Sequence, residues 1–233
     1  SIMMNIGHPL LRSRHGLATS IAWGMDGQVT YVLEGNVNHS GSVVTWMKDR
    51  AGWIQSAAES AALAEAADPG DETVLVPAFT GLGAPYWNSE ARALLTGMTL
   101  STGRAELVRA GLESIAYQIT DVLAAMQEDS ALPLEELRVD GGATDNAYLM
   151  RFQSDLANVP VRVAFAAELS GIGAAYAAGI AAGFLRRDLL FPPRTGRQYL
   201  PAAGETWRAE RRKRWADAVR RCAPCREGAG AEG

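Results

Sequence analysis

The sequence is poor in cysteine, has no excess of positive charge and contains no long apolar run. Only two of its 233 residues are cysteines, Cys222 and Cys225, which is too few for a disulfide framework and favours a reducing cytoplasm. The formal net charge of -4 argues against nucleic acid or an anionic membrane as partner, because either would favour a basic surface. No segment approaches the roughly 20 apolar residues that cross a bilayer. The chain opens on Ser1 with neither Met nor a signal-like leader, so we expect a piece of a longer protein.

The apolar residues that are present suffice for a full core, since 48% of the sequence is hydrophobic and 21% is charged. Residues 1–6, 18–23 and 28–33 are short apolar runs that predict three strands, and Asp26-Gly27 between the last two is typical of a hairpin. Periodicity predicts further elements along the chain. These are helices over residues 40–54 (breaking near Gly52), 57–67, 106–126, 168–179 and 206–221, and strands over residues 74–76, 94–100 and 159–165.

A glycine turn is the clearest candidate for a ligand site. The run Leu137-Arg138-Val139-Asp140 leads into Gly141-Gly142, and a helical pattern begins behind Thr144, Asp145 and Asn146. This order predicts strand, tight turn and helix. Two glycines leave bare backbone for a flat ligand, and the helix start offers free N–H groups and positive potential. A nucleotide site is one interpretation; a simple chain reversal is the other.

Other features also admit two interpretations. The loop of residues 77–88 is rich in glycine, proline and aromatic residues, so it either covers the domain as a structural loop or borders an active-site cleft. The polar residues Glu113, Tyr117 and Gln118 of the long helix are either site groups or a solvated or hydrogen-bonded helix face, and the second is favoured.

The remaining motifs favour structural roles. The small residues of 168–179 predict a helix that packs closely on a neighbour, and the basic run 211–214 predicts a solvated face. Cys222 and Cys225 have the spacing of half a zinc site or of a redox pair, but no second pair or nearby His accompanies them.

Several motifs resemble the FGGY carbohydrate kinases. Residues 77–92, PAFTGLGAPYWNSEAR, are similar to the C-terminal half of that family and, within it, to the glycerol kinases. The second FGGY signature follows in residues 97–113 and departs from the family at Gly111, where a larger residue is usual. Further matches are Leu33-Glu34-Gly35, Gly41, Trp46, Val139-Asp140-Gly141-Gly142, Asn146, Phe152-Gln153-Ser154-Asp155, Gly173-Ala174-Ala175-Tyr176 and residues 215–219.

The resemblance implies an α/β fold. It is the ribonuclease-H-like lobe of the actin, Hsp70 and sugar kinase superfamily, in which a mixed sheet is flanked by helices. The predicted order of three strands followed by alternating helices and strands agrees with it. On this basis residues 1–221 are expected to form the C-terminal, adenosine-binding lobe, and residues 222–233 a disordered tail.

The resemblance also implies a set of nucleotide-binding residues. The backbone of Gly142 and the side chain of Asn146 would border the nucleotide, Gly41 would line its other side, and Thr45 stands where glycerol kinases usually have a Gln. Ser1 stands where they commonly have a Phe against the polyol, so it is a candidate substrate contact. The general-base Asp, both phosphate loops and the main Mg²⁺ site would precede Ser1, which leaves no catalytic residue and no metal ligand on this chain.

The implied activity is that of an ATP- and Mg²⁺-dependent phosphotransferase. Glycerol would be converted to glycerol 3-phosphate. The chain's partner would be an N-terminal lobe, without which it would be inactive. The complete enzyme is expected to be a cytoplasmic homo-oligomer. Two alternatives stay open. One is a kinase for another polyol or sugar, such as a xylulose-like substrate, and the other is a lobe that binds nucleotide or a partner protein without catalysis.

Overall fold

A computed structural model describes residues 1–164, 169–186 and 196–222. It begins with an antiparallel sheet of β1 (Ile2–Gly7), β2 (Ala18–Met25) and β3 (Gln28–Gly35), in which β3 is central. Asp26 and Gly27 join β2 to β3, and both have positive φ, which confirms the hairpin predicted from this pair.

The middle of the chain is helical around a short second sheet. Its elements are α1 (Gly41–Asp49), α2 (Glu59–Ala66), the antiparallel pair β4 (Val74–Val76) and β5 (Leu94–Thr96), and α3 (Arg104–Ser130). Helix α1 stops at Asp49 and strand β5 at Thr96, earlier than predicted. Gly52 follows α1 and Gly97 follows β5. Both glycines have positive φ and turn the chain away from the preceding helix or strand.

The last third contains a mixed sheet. Strand β6 (Leu137–Val139) pairs in parallel with β7 (Val161–Val163), which pairs antiparallel with β8 (Gln198–Tyr199). The connecting elements are a 3₁₀ turn (Gly142–Asp145), α4 (Ala147–Ala157), α5 (Leu169–Ala181) and α6 (Glu205–Cys222). The strand, turn and helix predicted around the glycine pair are therefore confirmed.

Helix α3 organises the core. Its first half packs with α1, β4, α4 and α6 in the larger apolar cluster, through residues such as Leu112 and Ile115. Its second half packs against the first sheet in a smaller cluster, through Val122 and Met126. Because both clusters share this helix, it links the two parts of the lobe.

The aromatic loop of residues 77–88 is tied down at several points. Phe79 packs on Trp46 at 4.7 Å between ring centroids, and Trp87 Nε1 donates to the carbonyl of Gly16 at 2.5 Å. Tyr86 Oη donates to Asp121 Oδ2 at 2.7 Å. These contacts support the covering role among the two interpretations of the loop.

One prediction about the C-terminal helices is wrong, and another holds only in part. Helix α5 has no buried residue, because small side chains permit a close helix contact but do not create one. The basic run on α6 is a solvated face in part: Arg212 and Lys213 are exposed, whereas Arg211 donates to the buried Glu113.

Of the long-helix polar residues, Glu113 and Gln118 are buried and hydrogen-bonded rather than solvated, whereas the buried Tyr117 hydroxyl has no hydrogen-bond partner among the described residues. Glu113 accepts from Tyr148 Oη at 2.7 Å, and Gln118 donates to the carbonyls of His39 and Ser114. Burial raises the pKa of Glu113, although Arg211 favours its charged form.

Features of the C-terminal end lie partly outside the described residues. Cys222 is buried at the end of α6, and its thiol contacts the carbonyl of Arg92 at 2.6 Å. Residue 222, the first of the expected disordered tail, therefore belongs to α6 instead. Cys225, the rest of that tail and the predicted ends of elements at residues 165 and 168 are not among the described residues. Within the described ranges, no helix is long and apolar enough to cross a membrane.

Candidate nucleotide site

The first turn of α1 carries two of the candidate residues. Gly41 begins the helix and Thr45 follows one turn later, so both lie on one face, and Thr45 Oγ1 points back toward the carbonyl of Gly41 at 3.4 Å. The side chain of Ser40 does not cap the helix, and an ideal Cβ at Gly41 would meet no atom within 4 Å. The open backbone of this turn is accessible to a ligand.

His39 stands beside this turn and was not singled out by sequence reasoning. Its Nε2 lies 2.9 Å from Thr80 Oγ1 and its Nδ1 lies 3.2 Å from Ser42 Oγ. Partial burial lowers the pKa of His39, which favours a neutral ring at neutral pH. The aromatic loop thus reaches the start of α1, although no sequence signal pairs residues 39 and 80.

The glycine turn presents bare backbone to open space. Gly141 has φ +88°, a conformation that favours glycine, and the Thr144 hydroxyl fixes the turn by donating to the Gly141 carbonyl at 2.8 Å. Arg197 also anchors the turn, because its Nη2 donates to Asp145 Oδ1 at 2.9 Å. Gly142 has no atom within 4 Å of an ideal Cβ, so nothing in the described protein occupies the space beside it.

Asn146 is the N-cap of α4. Its Oδ1 accepts from the N–H of Leu149 at 2.9 Å, and its Nδ2 donates to Ser60 Oγ at 3.0 Å. The carboxamide is therefore fixed at both ends. An amide nitrogen carries two hydrogens, so one N–H of Asn146 takes part in neither of these two hydrogen bonds.

An open groove of about 370 Å³ runs along α1, a volume within the range of small-molecule sites. Val44 and Ala57 give it apolar surface, and Lys48 and Asp49 form an exposed ion pair at 3.5 Å. The complete lining is Val44, Thr45, Lys48, Asp49, Gln55, Ser56 and Ala57.

Hydrogen bonds connect this groove to the glycine turn. The carbonyl of Ala57, a lining residue, accepts from Ser60 Oγ at 2.6 Å, and Ser60 Oγ accepts from Asn146. This chain of hydrogen bonds joins a lining residue to Asn146, but of the four candidate residues only Thr45 itself lines the groove. Ser60 was missed because its only sequence signal is a serine near a helix start.

Ser1 lies elsewhere. It precedes β1 and donates from Oγ to Glu34 Oε1 at 3.0 Å, and it is not part of the groove lining. Among the residues that the structure describes, no three His, Cys, Asp or Glu side chains cluster to hold a metal ion.

Comparison with known proteins agrees with the fold and with the motifs. Residues 1–182 match the family model described as the C-terminal domain of the FGGY family of carbohydrate kinases. A glycerol kinase of Geobacillus kaustophilus is 45% identical over 94% of the chain, and one of Bacillus subtilis is 44% identical over the same share. In both comparisons the chain spans 45% of the relative's length.

Solved structures give the same result. The structure of Plasmodium falciparum glycerol kinase with ADP has a TM-score of 0.87 and 32% identity, and the match covers 94% of this chain and 44% of that one. A ligand-bound xylulose kinase of Lactobacillus acidophilus has a TM-score of 0.76 at 20% identity, with the same coverage. The latter likeness concerns the fold alone.

Proposed function

Because the chain belongs to the FGGY family of carbohydrate kinases, we propose that it is the C-terminal, nucleotide-binding lobe of an ATP-dependent polyol kinase that acts on glycerol. The reaction would transfer the γ-phosphoryl group of ATP to a terminal hydroxyl and yield ADP and glycerol 3-phosphate. The observation that carries this proposal is the 45% identity with glycerol kinases over 94% of the chain.

The geometry supports a nucleotide at the glycine turn. A flat purine ring can approach the bare backbone at Gly142, and the groove beside Thr45 offers apolar surface next to polar groups. In this proposal Gly41 and Gly142 contact the ligand through their backbone, Asn146 donates a hydrogen bond, and Thr45 lines the groove. The ADP bound in the Plasmodium glycerol kinase supports this assignment by similarity.

The chain's own residues would bind and orient the nucleotide. Phosphoryl transfer requires in-line positioning, charge stabilisation and Mg²⁺, and we assign the general base, the phosphate loops and the metal ligands to an N-terminal lobe. Ser1, hydrogen-bonded to Glu34, remains a candidate neighbour of the polyol. A cytoplasmic homo-oligomer is part of the same proposal.

Glycerol is preferred over other acceptors on one observation. The curated relatives near 45% identity are glycerol kinases, whereas the xylulose kinase matches at 20% identity and supports only the fold. A lobe that binds nucleotide without catalysis is the second candidate.

Steady-state kinetics on the two-lobe enzyme would test the proposal. With a coupled assay for ADP release and a panel of glycerol, xylulose, ribulose and gluconate, we expect kcat/KM to be at least about tenfold higher for glycerol than for any other acceptor. A higher kcat/KM for a sugar would contradict the choice of glycerol, and an absence of turnover with every acceptor would favour the non-catalytic lobe.

A further inference from the structure

Ser60 is a fully buried serine in the first turn of α2, with 0% exposure. Its hydroxyl donates to the carbonyl of Ala57 at 2.6 Å and accepts from Asn146 Nδ2 at 3.0 Å. The two partners belong to different parts of the site, since Ala57 lines the groove and Asn146 follows the glycine turn.

The direction of these hydrogen bonds is fixed by chemistry. The N–H of Leu149 requires an acceptor, so the oxygen of Asn146 faces α4 and the amide nitrogen faces Ser60. The single hydroxyl hydrogen of Ser60 is used by the Ala57 carbonyl, so Ser60 must accept from Asn146. Reversing the carboxamide would break the bond from Leu149 and would require the Ser60 hydroxyl to give up its bond to Ala57.

We propose that Ser60 is a positioning residue for the nucleotide, because it holds the Asn146 carboxamide in the one orientation that leaves an Nδ2–H for a hydrogen-bond acceptor of the nucleoside. This inference rests on the proposed function. It adds a residue on α2 that contacts no ligand itself and acts through Asn146. Without the Ser60 hydroxyl, the carboxamide keeps only its helix-capping bond and loses the partner that fixes its nitrogen.

Ser114 provides a matched control on α3. It is also 0% exposed, and its hydroxyl donates to the carbonyl of Gly111, three residues earlier, at 2.7 Å. Ser60 and Ser114 therefore share burial and the bond to a carbonyl three residues back, but only Ser60 contacts Asn146. Because Ser60→Ala also removes the acceptor of Asn146 Nδ2, it should lower the urea midpoint at least as much as Ser114→Ala does.

The test is an NMR titration of the chain with ATP, a method that detects millimolar binding. We expect Ser60→Ala to raise the Kd about three- to tenfold, the range of one lost hydrogen bond, whereas Ser114→Ala leaves the Kd unchanged. Ser60→Cys, which keeps a similar volume but is a weak acceptor, should behave as Ser60→Ala does and serves as the second variant if the alanine variant does not fold.

A double-mutant cycle tests the route through Asn146. Asn146→Ser keeps an oxygen to cap α4 but removes the carboxamide, so adding Ser60→Ala to it should not raise the Kd further. Additive effects, or an unchanged Kd for Ser60→Ala, would overturn the inference. These outcomes differ from a failure of the proposed function, in which the wild-type chain would bind no ATP or Gly142→Val would not weaken binding.

Discussion

The carboxylate of Asp121 joins three parts of the lobe through a single atom. Its Oδ2 accepts from Tyr86 Oη at 2.7 Å and from Trp215 Nε1 at 2.6 Å. Burial raises the pKa of Asp121 to about 6, above its ordinary 3.8, although both hydrogen bonds favour the charged form. Because the folded protein favours the protonated acid, the stability that Asp121 contributes is complete below about pH 4. It is lost as the pH rises through about 6.

We therefore predict that Asp121→Asn stabilises the protein at pH 7.5. A neutral amide keeps one oxygen for both donors and removes the buried charge, so the free energy of unfolding should rise by as much as about 3 kcal/mol. Urea unfolding at pH 4.5 and pH 7.5 measures this gain, which should be larger at pH 7.5.

Asp129 is the matched control, because the pKa of this carboxylate is shifted in the opposite direction. Burial opposes ionisation of Asp129, but hydrogen bonds from Ser13, the Arg14 N–H and His15 outweigh it and lower its pKa. Asp129→Asn should therefore lower stability at pH 7.5. Destabilisation by both variants at this pH would contradict the assigned role of Asp121.

Gly142 and Gly141 are neighbours with different constraints. Gly141 has φ +88° and needs glycine for its backbone, whereas Gly142 has no such constraint and open space at its Cβ. Gly142→Val should fold with nearly unchanged stability and raise the Kd for ATP at least about tenfold, because in the proposed site its side chain would overlap the purine. Calorimetry on the two-lobe enzyme should show unchanged polyol affinity; equal loss of both ligands would mean that the turn is structural.

At the scale of elements, helices α1 and α3 cross closely at Gly111. An ideal Cβ at this position would overlap the Sδ of Met47, a fully buried side chain of α1. We predict that Gly111→Leu lowers the free energy of unfolding by about 1 to 3 kcal/mol through overpacking. Because α1 carries Gly41 and Thr45, this variant should also weaken ATP binding.

Gly103→Ala is a suitable control for the crossing. Gly103 precedes α3, and an ideal Cβ there lies 3.3 Å from the flexible Glu106 carboxylate and meets no other helix. Urea midpoints compare the two variants. A smaller loss of stability for Gly111→Leu than for Gly103→Ala would contradict a tight crossing.

Local pattern predicted every described strand except β8, together with the hairpin and the long helix, because each of these depends on residues close in sequence. Helix α3 was predicted over residues 106–126 and spans Arg104–Ser130. The contact of Arg211 with Glu113 joins positions 98 apart in sequence, and that of Ser60 with Asn146 joins positions 86 apart, so neither has a local signature. The motif residues Gly41, Gly142 and Asn146 could be selected by resemblance, but the residues that contact them could be identified only from the structure.

At the scale of the whole molecule, the chain spans 45% of the length of its glycerol kinase relatives. We predict that residues 1–233 alone release no ADP in the presence of glycerol or any sugar, because hinge closure between two lobes brings the γ-phosphate to the hydroxyl. A coupled assay on the purified chain tests this. Polyol-dependent turnover would overturn the assignment of the chemistry to an N-terminal lobe.

The assignment of the chemistry to an N-terminal lobe also predicts that this chain binds ATP and ADP with similar affinities. If only adenosine contacts lie on this chain, ATP and ADP should bind with Kd values within about threefold of each other, both near the millimolar range. Titration of the chain with each nucleotide measures the ratio. A strong preference for ATP would place a γ-phosphate contact on this lobe.

Helix α3 contacts α1, α2, α4, β1 and β4, and its residues take part in both apolar clusters. Its amide hydrogens can therefore exchange with deuterium only when most of the lobe has opened, whereas α5, with no buried residue, can open by itself. The exchange rates of the central turns of α3 should report the global free energy of unfolding. If the lobe unfolds from its surface elements inward, the amide hydrogens of α3 would be the last to exchange.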